Sequence, residues 1–401
     1  MKIEKRYIML LLLFIGYLVV YIDKTVIGLA MLNIEKDLHL DTDHVGYITG
    51  MFFLSYSIFQ IPAGWLNDRL GYKKVLLLSL FMISGCAFLF GYFGATLALL
   101  ISFRFLAGVG HSGYPCSCAK AVSSNFTVDE RTLAQSILLS SSGMAMIIGP
   151  ILVSYTLKTV GWRTTYIDLA AIAFIVMLCI LLWVPNVKKT AAPQANVNKE
   201  SVSYLYLLKN PVVILLFIAI FGVNIPAYGL MVWLPKYLVS VRGLNLEWTS
   251  YMLALAGLAQ WLSSIGSGWV VGKYLKDKEK IVIIVSSLIS AISIWMVYAS
   301  ENIFVATGFL FVAYIFLMTS FVTIFTLPMK WLPSNIIGTA MGLVNTGGTL
   351  GGFVSPIVIG LFLKTTTNEM SGNFAAAFMF LAGGMLLSAL IVLPLKKPQH
   401  S

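Results

Sequence analysis

The chain is a succession of apolar stretches, each about long enough to cross a bilayer. A helix spanning the roughly 30 Å hydrocarbon core needs about 20 mostly apolar residues. Breaking the sequence at its charged and Gly/Pro-rich turns gives twelve such segments. They lie near 7–32, 45–66, 73–95, 97–121, 132–158, 162–184, 210–240, 248–272, 281–299, 302–329, 336–364 and 372–395. Only 11% of the residues are charged and 59% are hydrophobic, against about 25% charged in a soluble domain. The excess is spread over the whole length, which excludes a soluble domain with a single anchor. The start, MKIEKRYIMLLLLFIGYLVVYIDK, has the basic head and apolar run of a signal peptide. The run is too long for one and lacks a clean cleavage site, so it reads as the first crossing, retained. Separating turns as short as GYFGAT, 91–96, join antiparallel neighbours.

One polar segment interrupts the series: VPNVKKTAAPQANVNKESVSYLYLLKNP, with Pro185, Pro193 and Pro211. It divides the chain into an N-terminal six-helix bundle (1–185), a linker (186–209) and a C-terminal six-helix bundle (210–401). The net charge of +11 follows the same layout. Of 27 Lys and Arg residues, 19 fall on the side shared by the N-terminus, the linker and the C-terminus, and six on the other. Lys24 and Arg104 fall inside helices. The positive-inside rule makes both termini and the linker cytoplasmic, in a multi-pass protein of the cell membrane. Topology thereby accounts for the charge, and nucleic-acid binding loses its support. Cys86, Cys116, Cys118 and Cys179 all sit in apolar runs and imply no disulfide framework. Cys116 and Cys118 point to different helix faces, which disfavours a metal site with His111. No metal and no cofactor is expected.

GWLNDRLGYKK, Gly64 to Lys74, is the most specific short signal. Gly64 allows close helix approach and Gly71 a tight turn. Asp68 is an anion at the C-terminal end of a helix, where the dipole disfavours it, so it needs a partner. The segment resembles the G-x-x-x-D-[RK]-x-G-x-[RK] signature of the major facilitator superfamily. That resemblance implies an all-α membrane protein with twelve transmembrane helices in two six-helix bundles. It also implies a cytoplasmic gate built from Gly64, Asp68, Arg69, Gly71 and Lys73, with Asp68 pairing near Arg131 and facing the helix that starts near Ile336. The echo in the second half, GWVVGKYLKDKEK from Gly268, has Gly272 where the aspartate would stand.

The stretch RFLAGVGHSGYPC places Arg104 and His111 within the fourth apolar segment. Arginine cannot discharge in a protein, and in lipid its charge costs at least a few kcal/mol. It must face a cavity or a partner. His111 is two turns further on, and Gly108 and Gly110 remove bulk between them, so this face reads as polar and open. YIDKTVIGLA in the first segment holds Asp23 and Lys24. These two either snorkel to the outer surface or act at a site, Lys24 joining Arg104 in a cationic locus with Asp23 as proton carrier or charge balancer. Asp168 is a candidate partner of Arg163.

At finer level the chain is similar to the anion:cation symporter branch. The similarity rests on YIDKTVIGLAMLNIEKDL, RFLAGVGHSGYP, VNIPAYGLMVWLPKYL and GTAMGLVNTGGTLGGFVSPIVIG. It implies substrate contacts from Tyr21, Lys24, Arg104 and Asn345, with Ser142 and Phe325 facing the cavity. Lys24 stands where arginine is usual, and His111 where the branch often has a carboxylate. The proton is then carried by His111, switching between neutral and cationic, or by Asp23 with His111 as a neutral donor. Asn224 either joins the site or packs helix to helix. The expected protein is a monomeric secondary transporter in the lipid bilayer, a proton-coupled symporter of a small organic anion such as a carboxylate or sugar acid. Its substrate would bind between the bundles, reached by alternating access. A proton-coupled drug exporter of the same fold is the alternative, though two cations suit a lipophilic cation poorly. An enzyme is disfavoured: of four histidines only His111 lies mid-helix, with no H-x-x-x-H or acidic pair around it.

Overall fold

The computed structural model describes residues 3–185, 210–275, 277–332, 337–364 and 373–395. The linker expected over 186–209, and Ile336, lie outside them. Among the described residues there are thirteen helices. They are α1 Ile3–Thr25, α2 Ile27–Asp37, α3 Thr42–Leu70, α4 Tyr72–Phe93, α5 Leu97–Asn125, α6 Val128–Thr159, α7 Gly161–Trp183, α8 Pro211–Ser240, α9 Leu246–Tyr274, α10 Glu279–Ala299, α11 Ile303–Trp331, α12 Ile337–Lys364 and α13 Phe374–Ile391. Every apolar segment coincides with a helix, and α1 and α2 together make the first crossing. Their break is one irregular turn at Val26, whose N–H still donates to Ile22 O and whose carbonyl still accepts from Ala30 N.

Nine of these helices are long and apolar enough on their own to cross a membrane. At 29 residues each, α3, α5 and α9 are long enough but more diluted with Gly, Ser and charge. Two turns show how the sequence sets the joints. Gly71 adopts φ +83°, which ends α3 and admits α4 within one residue, as its place in the motif predicts. Asp41 and His44 cap α3 reciprocally, and Thr127 and Glu130 do the same for α6.

The chain divides into two compact units, the first comprising 1–188, 231–261 and 356–372, the second 189–230, 262–355 and 373–401. In the first, α1, α4, α5, α6 and α7 bury a shared core that includes Leu13, Tyr17, Tyr72, Leu80, Tyr114 and Leu138. Tyr114 is fully buried, and its hydroxyl donates to the Leu13 carbonyl at 3.1 Å, so no polar atom is stranded there. In the second unit, hydroxyls join helices. Ser286 and Ser287 of α10 both reach Ser320 of α11, at 2.6 and 3.0 Å. Small polar side chains serve this purpose in membranes, where lipid tails remove the hydrophobic drive between helices.

Gly108 and Gly110 do not open a face of α5. A Cβ at Gly108 would lie 2.2 Å from the Phe52 carbonyl oxygen on α3, and one at Gly110 would lie 2.8 Å from Met82 Cβ on α4. The missing bulk is spent on helix approach, which brings α5 against both neighbours. Gly108→Ala is therefore expected to force α3 and α5 apart and destabilise the unit by about 1–3 kcal/mol. Thermal unfolding in detergent checks this.

Candidate functional site

Asp23 on α1 and Arg104 and His111 on α5 are brought together inside the first unit. The Asp23 Oδ2 atom accepts from Arg104 Nη1 at 3.4 Å and lies 2.9 Å from His111 Nε2. All three residues are at most 3% exposed. Phe52 of α3 closes the group, its ring 4.9 Å from the Arg104 guanidinium carbon and 4.8 Å, edge to face, from the imidazole. Phe90 of α4 lies 5.9 Å from the same guanidinium. Arg104 Nε is buried with no hydrogen-bond partner. Removing one member of such a pair leaves a bare buried charge, at a cost of about 3–5 kcal/mol.

The neighbouring Lys24 points elsewhere. It is 9% exposed and its ammonium lies over the rings of Phe53, Tyr56 and Tyr21, at 5.3, 5.2 and 5.8 Å. Tyr21 in turn stacks on Tyr17 at 5.2 Å. Burial excludes snorkelling of Asp23 and Lys24 to the surface. Arg104 is paired with Asp23, and Lys24 is packed among aromatic faces, which attract a cation. Phe52, Phe53 and Tyr56 carry no motif, and only their i, i+1, i+4 spacing in the sequence marks them as one edge of α3.

The other expected contacts are spread over both units. Ser142 belongs to the first and donates to its own helix at Leu139 O. Half-buried Phe325 and Asn345 belong to the second. Asn224 is buried and donates to Ile220 O, and a Cβ at Gly348 would meet its amide at 2.8 Å, so it packs α8 against α12.

In the GWLNDRLGYKK motif, Asp68 has a different cation from the expected Arg131. Lys120 of α5 reaches Asp68 Oδ1 at 2.7 Å and Asn67 O at 3.0 Å. Arg131 instead donates to Ser123 O and Phe126 O, where α5 ends and its carbonyls lack helical partners. Lys73 donates to Leu181 O, and the Arg69 guanidinium lies 4.0 Å from the Trp65 ring. Nothing among the described residues lies within 4 Å of a Cβ at Gly64, so no close helix approach uses it there.

The opposite end of the first unit, around residues 35–43, is laced with ion pairs. Lys236 of α8 meets Glu35 at 2.6 Å and Thr42 at 3.0 Å. Lys364 of α12 meets Asp43 at 2.8 Å, and Lys158 meets Glu247 of α9 at 3.1 Å. Arg163 pairs with Asp37 rather than Asp168, and the Trp162 indole donates to the same carboxylate. The Arg163 and Trp162 hydrogen bonds hold the Asp37 carboxyl below its ordinary range. Burial opposes charge on Asp43, but the Lys364 bond prevails and lowers it too. Burial of Glu35 wins over Lys236 and raises it. A response between about pH 5 and 8 therefore has no source in Asp37 or Asp43, and Glu35 is the carboxyl of this end to control for.

The profile of the Major Facilitator Superfamily matches residues 13–356. The chain is 25% identical to a probable galactarate/D-glucarate transporter of Bacillus subtilis, covering 99% of this chain and 93% of that protein. It is also 25% identical to a probable sulfoacetate transporter of Cupriavidus necator, over 98% and 95% of the two chains. A solved bacterial homolog of the human lysosomal transporter Spinster, inward-facing and occupied, superposes with a TM-score of 0.80 at 15% identity, over 98% of this chain and 96% of that one.

Proposed function

The chain belongs to the Major Facilitator Superfamily and is a multi-pass membrane transporter, and on that premise we propose that it is a proton-coupled symporter of a small organic anion. The relatives named for galactarate/D-glucarate and sulfoacetate support an anionic substrate. The observation that carries the coupling is the single Asp23 oxygen bonded to both Arg104 and His111.

While Asp23 is ionised it occupies the guanidinium. A proton on Asp23 releases Arg104, whose planar fork then binds a carboxylate. Proton and anion each favour the other's arrival, and the linkage is reciprocal. In this reading Asp23 carries the proton and His111 orients it through Nε2. Lys24, on the adjacent face of α1, adds a second positive charge, and Tyr21 and Asn345 supply polar contacts, with Ser142 and Phe325 lining the path. The GWLNDRLGYKK end, with Gly64, Asp68, Arg69, Gly71, Lys73 and Arg131, serves as the cytoplasmic gate, and both termini lie on that side.

Proteoliposomes test the proposal. With an inward-directed proton gradient of one pH unit, labelled glucarate is expected to accumulate up to about tenfold per coupled proton. A neutral hexose is expected not to enter. Uptake indifferent to the gradient would reject the coupling, and equal entry of the neutral sugar would reject the anion site.

A further inference from the structure

The second unit contains a cavity that the transport reading does not use. It lies between α9, α10 and α11, encloses about 530 Å³ and is lined almost wholly by apolar atoms. Its lining along α9 and the residue after it runs from Leu275 up to Leu262, about 20 Å at 1.5 Å per residue. One leaflet of hydrocarbon is about 15 Å deep. The groove is therefore the length of one extended acyl chain. Its flanks, including Ile281 and Val285, are exposed apolar side chains, so it opens sideways toward lipid.

The mouth is cationic. Lys278 lines it, and Lys273 sits one turn from the groove with its ammonium over the Trp269 and Tyr274 rings, at 5.1 and 5.2 Å. Exposed Trp and Tyr mark the depth of the lipid headgroups, which places the mouth at that level. Of the two carboxylates nearby, Glu279 pairs with Lys330. Among the described residues, Lys273, Lys278, Lys280 and Lys330 stand at this end with Asp277 and Glu279, four positive charges against two. In the orientation proposed above this end is cytoplasmic, the leaflet that carries anionic lipid, and basic pockets between transmembrane helices recognise such headgroups.

We infer that this groove is a binding site for one acyl chain of an anionic phospholipid from the cytoplasmic leaflet, with the phosphate held by Lys278 and Lys273. The site is separate from the Asp23–Arg104–His111 group, which belongs to the first unit.

Photo-crosslinking of the full-length protein in detergent tests it. The probe is phosphatidylglycerol with a diazirine on its acyl chain, and phosphatidylcholine with the same chain is the comparison. Label from phosphatidylglycerol is expected in 262–271 and 281–286, exceeding that from phosphatidylcholine by about fivefold per lysine engaged. Lys278→Gln together with Lys273→Gln should erase the preference between headgroups. Gly266→Leu should remove the label from both lipids: Gly266 lines the groove and a Cβ there meets nothing within 4 Å, so the larger side chain fills the cavity without disturbing its neighbours. Equal labelling by the two lipids, or labelling that survives both Gly266→Leu and the double lysine variant, would overturn the proposal.

Discussion

Arg104→Ala is expected to lower uptake of an organic anion by about 100-fold or more, the scale of losing one partner of a buried charged contact. The expectation rests on where the guanidinium sits. It is 3% exposed and bonded to Asp23, so its charge can be used only by exchanging one carboxylate for another. Removing it deletes the acceptor of the substrate's charge and leaves Asp23 with His111 alone. The protein should still insert, because a proton on Asp23 discharges the stranded carboxylate. The double variant Arg104→Ala with Asp23→Asn removes both charges and should melt close to the wild type while remaining inactive. Arg104→Lys keeps a charge without the planar fork and should recover part of the uptake. Uptake assays beside thermal melts separate these outcomes. Full uptake by Arg104→Ala would remove Arg104 from the site.

The second large effect concerns coupling. Asp23→Asn is expected to abolish accumulation driven by a proton gradient while leaving exchange of labelled for unlabelled anion across the membrane. An amide cannot lose or gain the proton, so Arg104 stays available and the carrier shuttles without coupling. His111→Gln should keep a pH-dependent uptake, because the amide N–H still donates toward Asp23 Oδ2. A flat profile in that variant would transfer the proton to the imidazole. Glu35→Gln is the necessary control, since burial raises the Glu35 carboxyl at the opposite end of the unit. Its profile should match the wild type.

The crossings were legible because hydropathy alone sets them. Each apolar segment became a helix, with ends shifted by a few residues where caps such as Asp41 and Thr127 extend the helix beyond its apolar part. The break at Val26 left no mark, since Val26 keeps helical angles and the apolar run passes through it. At the site, the chemistry was visible and the pairing was not. Arg104 demanded a partner on energetic grounds, and Asp23, His111 and Lys24 stood out as polar residues in apolar runs. Which cation Asp23 would choose depends on the rotation of α1 against α5, and no local pattern encodes that. Gly108 and Gly110 misled for the same reason. A glycine pair in a helix signals either open space or a close neighbour, and only the packing against Phe52 and Met82 decides. The motif points to Arg131 as the partner of Asp68, but the carbonyls ending α5 claim it first.

The ion pairs around residues 35–43 make that end of the protein responsive to electrolyte. Lys236–Glu35, Lys364–Asp43 and Lys158–Glu247 join early helices to segments of α8, α12 and α9, whereas Arg163–Asp37 ties α7 to α2, so in the proposed transport cycle an opening on that face parts the first three. Of those three, the Lys158–Glu247 pair is roughly half exposed, and ions screen such a pair over about 8 Å at physiological strength. Glu35 and Asp43 are more enclosed and less reachable. Raising salt on that face alone should therefore hasten its opening in part, and the same salt on the other face should not.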